Sequence, residues 1–324
     1  MIISRTPFRI SFCGGGTDLQ AFYQHEPGAV VSTAINKYMY ITVNKKFDHH
    51  IRISYSKTEN VESVHDIEHE LIREAMKLTD VTKGVEITSV ADIPAMGTGL
   101  GSSSSFTVGL LHALHAFSGN FKSAAVLAEE ACHIEIDVVG EPIGKQDQYI
   151  AAFGGLQYVE FNTDGTVFVD PIICDPDTKA KLQDNLVMFY TGITRKAGGI
   201  LSKQMKETKN KLPVLKKMRD LAIQTRDALN SNRIDQLGEL LHENWLLKKG
   251  LTGGISNDEI DTLYEKARKA GATGGKILGA GGGGFLMFYA PGKAKERVRD
   301  ALSDLREFEF QFEPQGSKII YVGD

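Results

Sequence analysis

The sequence predicts a two-domain α+β protein. Three observations carry this reading. The chain has 324 residues, more than one compact core usually needs. Its first part is rich in β-branched and aromatic segments interrupted by a few helices, and from about Lys181 the texture changes to long charged helices. The boundary is placed near residue 180, giving domains of 1–180 and 181–324.

Taken in order, MYITVNKK (39–46) and IRISYS (51–56) read as strands, the second alternating Ile51, Ile53 and Tyr55 with the period of a half-buried sheet. Residues near 61–78 carry Ile67, Leu71, Ile72, Ala75 and Met76 at helical spacing. VEITSVADIPA (85–95) is a strand followed by Pro94, and FTVGLLHALHAF (106–117) offers Phe106, Leu110, Leu111, Leu114 and Phe117 as one helical face. Residues 123–139 form a helix with Leu127, Ala131, Ile134 and Val138 as its stripe. GLQYVEFNTDGTVFVD (155–170) is a strand pair turning at Asp164-Gly165. Two long charged helices follow, with Pro213 expected to separate helices rather than sit inside one. A helix near 257–270, the glycine-rich GGKILGAGGGGFLMFYA, and a final helix and strand complete the chain.

Composition narrows the function. With 42% hydrophobic and 24% charged residues and a net charge of −4 without long like-charge runs, the chain shows neither a nucleic-acid footprint nor a membrane patch. Arg5 and Arg9 interrupt any apolar signal-peptide core, and no stretch of about 18 apolar residues occurs. Cys13, Cys132 and Cys174 show no CxxC spacing, which fits a reducing cytoplasm, with Cys13 a small buried thiol. A monomer or homodimer is expected.

The densest signal is MGTGLGSSSSF (96–106), a strand-to-helix connection. Glycines allow positive φ and close approach of a ligand. Serines can cap the helix, whose unpaired N–H groups and dipole suit a phosphate. The loop lacks the lysine of a Walker A motif, and the GxGxxG at Gly279, Gly281 and Gly284 runs into a strand where a dinucleotide site needs a helix.

Phosphoryl transfer asks for a metal ligand, a base and a cation nearby. In AEEACHIEIDVVGEPIGKQDQYIAAFGG, Glu129 falls opposite the apolar stripe while Glu130 and Glu135 border it on either side, and the residues themselves leave both open. Asp147 stands at the entry to an apolar segment, as a helix cap or as a general base. His65 and His69 are read as a solvated helix face, His112 and His115 as packing or surface residues, and Trp245 as core.

Three motifs in one order carry a family likeness. PAMGTGLGSSSS resembles the second motif of the GHMP kinases, RTPFRISFCGGGTDL (5–19) the first, and KILGAGGGGF (276–285) the third. The resemblance implies a left-handed βαβ unit in the N-terminal domain and a ferredoxin-like C-terminal domain. It implies ATP cradled by Gly97, Thr98, Gly99, Leu100, Gly101, Ser102, Ser103 and Ser104 with Gly281 and Gly282, and Mg²⁺ held by Ser103 and Glu135. Asp147 would be the base and Arg9 the cation beside it. Where galactokinases have Glu-His this chain has Gly15-Gly16, so it is similar instead to the heptose-phosphate and fucose kinases of the family. Gly15, Gly16 and Asp18 would then meet the sugar, and Arg195, with Lys145 as a second basic group, would anchor a sugar phosphate. The implied reaction is phosphorylation of the anomeric hydroxyl of D-glycero-D-manno-heptose 7-phosphate, feeding nucleotide-activated heptose synthesis. Two alternatives stand beside it: a kinase of an unphosphorylated sugar such as fucose, and a non-catalytic sugar sensor.

Overall fold

The computed structural model describes residues 1–93, 97–193 and 197–323. Its strands are β1 (Ile2–Cys13), β2 (Gly28–Lys45), β3 (Ile51–Ser54), β4 (Thr58–Val61), β5 (Val85–Ala91), β6 (Leu156–Phe161), β7 (Val167–Pro171), β8 (Leu186–Tyr190), β9 (Gly274–Ile277), β10 (Phe285–Tyr289), β11 (Arg306–Glu307) and β12 (Lys318–Val322). The helices are α1 (Gln20–Tyr23), α2 (Glu70–Leu78), α3 (Ser102–Phe117), α4 (Ala124–Cys132), α5 (Gln146–Phe153), α6 (Pro176–Asn185), α7 (Ala197–Asn230), α8 (Leu237–Lys249), α9 (Asp258–Lys269) and α10 (Ala294–Ala301).

The strands form two sheets. One runs β12-β1-β2-β5-β3-β4, with β6 and β7 branching from β2; the other runs β11-β8-β10-β9. Long β2 makes the branch: Gly28–Thr33 pairs with β6, whereas Met39–Lys45 pairs with β5. β12 covers β1 only over Ile2–Arg5; at Arg9 the strand pairs with Ala34 on β2, and on its other side the Arg9 N–H donates to Leu100 O at 3.0 Å, so the loop ahead of α3 flanks this buried charged residue. α3 packs on β1 and β2 from one end of the chain, and α7 and α8 reach β1 from the other. The second core gathers Trp245, Tyr264, Phe288 and Leu286, so Trp245 is core as expected.

Several expected elements differ in detail. The helix read over 61–78 starts only at Glu70, because the Glu59 carboxylate takes the N–H groups of Glu68 and His69 at 2.7 and 3.3 Å. His69 is not solvated: its ring packs on Tyr55 and Phe106, and burial pushes its pKa down. Pro213 does not divide two helices, since α7 runs through it. The proline stands on the exposed face, where water can satisfy the carbonyl its ring leaves without a donor. Val138 leaves the expected stripe and is 48% exposed. The helix after Cys132 widens into a π turn over His133–Val138, with Val139 N–H donating to Ile134 O. The wider turn carries the stripe's end outward.

Candidate active site

The same π turn places Glu135. Its side chain is fully buried (0% exposed). Ser103 and Thr107 hydroxyls donate to Oε1 at 2.9 and 3.1 Å, and Ser104 and Gln148 donate to Oε2. All four donors are neutral, and burial raises the Glu135 pKa to about 7. A buried carboxylate surrounded only by neutral groups favours a cation arriving from outside. Glu130, the alternative, is spoken for elsewhere, its Oε2 lying 2.6 Å from His115 Nε2.

The loop ahead of α3 owes its path to glycines. Gly101 is the N-cap at φ 75°, and no side chain caps the helix. The expected serine cap is therefore replaced: Ser103 and Ser104 turn to Glu135, and Ser105 donates to Pro7 O at 2.8 Å. Gly99 and Gly279 interlock, since a Cβ on Gly99 would lie 2.4 Å from Leu278 O and one on Gly279 2.5 Å from Gly99 Cα. The glycine-rich 279–284 turn thus closes directly on the serine loop before entering β10. Gly281 and Gly282 pack on Ile255, and the Gly282 N–H is spent on Ile255 O at 2.8 Å.

Arg9 and Asp147 meet at the mouth of this loop. Arg9 Nε and Nη2 each donate to one Asp147 oxygen at 2.7 Å, and Nη1 donates to Gly99 O at 2.6 Å. Such a fork fixes both partners in orientation. Arg9 is 4% exposed, while the Asp147 side chain keeps 24% and so remains reachable. A Cβ on Gly101 would lie 3.2 Å from Asp147 Oδ2, which places the carboxylate at the start of α3. Asp147 falls in the first turn of α5 but does not cap it.

Asp18 is turned toward the same region. It accepts from Gly16 N–H at 2.8 Å and, at 3.4 Å, from Gln146 N–H, and its burial raises its pKa. Gly15 is lined by Ser11 Oγ and Gln146 Nε2, each 3.8 Å from where a Cβ would stand. Lys145 is not directed at this space, because its ammonium donates to Gly165 O at 2.8 Å and stands over the Tyr23 ring. Arg195, with Lys196 and Pro94, lies outside the described residues. Cys13 is buried as expected, its thiol pushed up to about 11 by burial.

Sequence reasoning missed two groups. Buried Lys248 and Lys276 approach the site from α8 and β9, both with pKa values lowered first by burial. Leu237, Leu241, Trp245 and Lys248 share one helical stripe, a spacing that would have marked Lys248 as inward-facing. Ser11 Oγ, Gln204 Nε2 and Asn244 Nδ2 are buried polar atoms without a partner, and they surround the Gly14–Gly16 run.

Among the described residues, no helix is long and apolar enough to cross a membrane. Family models described as GHMP kinases N terminal domain and GHMP kinases C terminal match residues 63–155 and 225–306. The chain is 30% identical to a D-glycero-alpha-D-manno-heptose 7-phosphate kinase from Campylobacter jejuni, over 98% of both proteins. It is 25% identical to a bifunctional fucokinase/GDP-fucose pyrophosphorylase from Arabidopsis thaliana, over 94% of this chain and 31% of that protein. The crystal structure of a D-glycero-D-manno-heptose 1-phosphate kinase from Bacteroides thetaiotaomicron superposes with a TM-score of 0.83 at 27% identity, covering 100% of both chains. Agreement from end to end, on a fold organised around one glycine loop at a helix start, places the chain among the GHMP kinases, as a phosphotransferase whose acceptor is an alcohol.

Proposed function

We propose that this kinase uses ATP to phosphorylate the anomeric hydroxyl of D-glycero-D-manno-heptose 7-phosphate, giving the 1,7-bisphosphate. The observation that carries the reading is the Arg9–Asp147 fork at the start of α3, where a reachable carboxylate adjoins a helix start suited to a phosphate. Asp147 accepts the proton of the sugar hydroxyl, and Arg9 holds the carboxylate's orientation. The hydroxyl oxygen then forms its bond to the γ-phosphorus as the bond to the bridging oxygen breaks, and ADP leaves with that electron pair. In this reading the backbone amides of Gly97 to Ser104 face the phosphates, the Ser103 and Ser104 hydroxyls being turned to Glu135, with Gly281 and Gly282 behind the loop.

The donors around Glu135 fit Mg²⁺. They are all oxygens apart from the Gln148 amide, and a buried carboxylate without a cationic neighbour matches an ion that keeps most of its shell as water and phosphate. Ser103 and Glu135 would hold the ion, which supplies charge neutralisation at the phosphates.

Gly15 leaves room for the sugar ring with Asp18 beside it, Gly16 is packed on Gln204, whose Nε2 would lie 2.4 Å from a Cβ there, and Arg195 is the proposed anchor for the sugar's phosphate. Two relatives are named for the same heptose but for different phosphate positions. ADP release should therefore be measured with heptose 7-phosphate, heptose 1-phosphate, free heptose and fucose. Turnover at least tenfold faster on the 7-phosphate is expected. Equal or faster turnover of fucose or free heptose sinks the assignment, and an unchanged KM for the phosphorylated sugar in Arg195→Ala removes Arg195 from it.

A further inference from the structure

Lys248 closes α8, one residue before its end, and packs inward with Trp245. It is 6% exposed. Buried lysines are rare unless paired with a carboxylate. Two carboxylates stand near, yet neither is bonded to it: both Asp147 oxygens are taken by Arg9, and Asp18 accepts backbone amides. Among the described residues the ammonium's hydrogen bond goes to Gly279 O at 2.5 Å. An ammonium has three donors, so two are left without a protein acceptor.

The place of that single bond is informative. Gly279 is the residue interlocked with Gly99, and Gly99 O accepts from Arg9 Nη1. Lys248, Gly279, Gly99, Arg9 and Asp147 therefore follow one another at contact or hydrogen-bond distance around the loop that precedes α3. Lys276, the other buried lysine, differs because its amine is fixed on Phe12 O at 3.0 Å.

We infer that Lys248 donates its two free N–H groups to the terminal phosphoryl oxygens of the bound nucleoside triphosphate. The assignment rests on the phosphoryl-transfer reading above. It accounts for a buried cation that the folded chain leaves without a carboxylate, because the anion that completes it arrives with the substrate.

Charge around the group supports this role. Burial first, then Arg9, lowers the Lys248 pKa to about 8, while Asp18 and Asp147 raise it. Lys276 is a further titratable neighbour, and burial lowers its own pKa. Raising the pH through about 8 removes the proton and the cation with it.

The test is nucleotide binding by the full chain, measured by calorimetry with Mg²⁺ and either the non-hydrolysable analogue AMPPNP or ADP. In the wild type, the preference for AMPPNP over ADP should fall about tenfold between pH 7 and pH 9. Lys248→Met should abolish both the preference and its pH dependence. Lys248→Arg should restore the preference without the alkaline limb, because a guanidinium does not titrate there. Lys248→Met should melt no lower than the wild type in the absence of nucleotide, since it removes a buried charge. The inference is overturned if Lys248→Met keeps the wild-type preference and pH limb, or if it loses many degrees of melting temperature while binding both nucleotides as before. Since the readout involves no sugar, an error in the heptose assignment leaves this outcome unaltered.

Discussion

Glu135 and Asp147 border the same glycine loop and are held in opposite ways. Glu135 is fully buried among three hydroxyls and one amide, with no cationic side chain bonded to it among the described residues. Asp147 is partly open and carries a guanidinium on both oxygens. The first is a buried carboxylate for which an external cation is the natural partner; the second is already paired with a guanidinium yet reachable by a ligand. Two carboxylates beside one loop thus have opposite surroundings, and the proposed division of roles between them rests on that difference.

The most direct way to break this comparison is Asp147→Asn. Loss of a positioned general base typically costs 10²–10⁴ in rate, and a fall in kcat of about 10³ is expected, with AMPPNP affinity unchanged. A variant that retains more than a tenth of wild-type kcat would falsify the base assignment.

A second measurement separates the two carboxylates by stability rather than by activity. Asp147→Asn leaves buried Arg9 without its carboxylate, at a cost of roughly 1–3 kcal/mol. Glu135→Gln strands no cation. Its new amide finds the Gln148 Oε1 atom, which is buried without a partner, while the surrounding hydroxyls can rotate to new acceptors. Replacing a buried charge in this way is neutral or stabilising. Urea unfolding in EDTA should therefore rank Glu135→Gln at or above the wild type and Asp147→Asn below it. The reverse ranking dissolves the distinction. With Mg²⁺ added, only Glu135→Gln should lose the gain in stability that the ion confers on the wild type.

The contrast also marks what could be read in the sequence. Arg9, Asp18 and Asp147 were named through the resemblance of three motifs, not through local spacing, since their partners lie far along the chain: Arg9 meets Asp147 across 138 residues, and Asp18 meets Gln146 across 128. From the residues alone Glu135 was one of two stripe-edge carboxylates, and only the family resemblance chose it, because the choice depends on a π turn, which is not written in a 3.6-residue periodicity. That same turn carried Val138 out of the core. Pro213 failed as a helix breaker because its cost depends on whether the freed carbonyl faces water, which is a tertiary fact. Lys248 and Lys276 were passed over because lysine is solvated by default, and only the stripe shared with Trp245 hinted otherwise.

The smallest expected effect concerns the two serines that address Glu135. Ser103 bonds Oε1 and Ser104 bonds Oε2, both at 2.9 Å. Hydrogen bonds to a charged group contribute roughly 1.5–3 kcal/mol, so by stability alone the two alanine variants should be nearly equivalent. Ser104 is almost fully buried, however, whereas Ser103 is exposed at the loop's face. A hydroxyl that also ligates Mg²⁺ must be reachable, and Ser103 alone of the pair is. Ser103→Ala should raise the Mg²⁺ concentration for half-maximal activity by about tenfold, while Ser104→Ala should leave it within twofold and lower the melting temperature by a similar amount to its neighbour. If both variants shift the Mg²⁺ requirement equally, the effect runs through Glu135's position alone, and Ser103 is a support for the carboxylate rather than a ligand beside it.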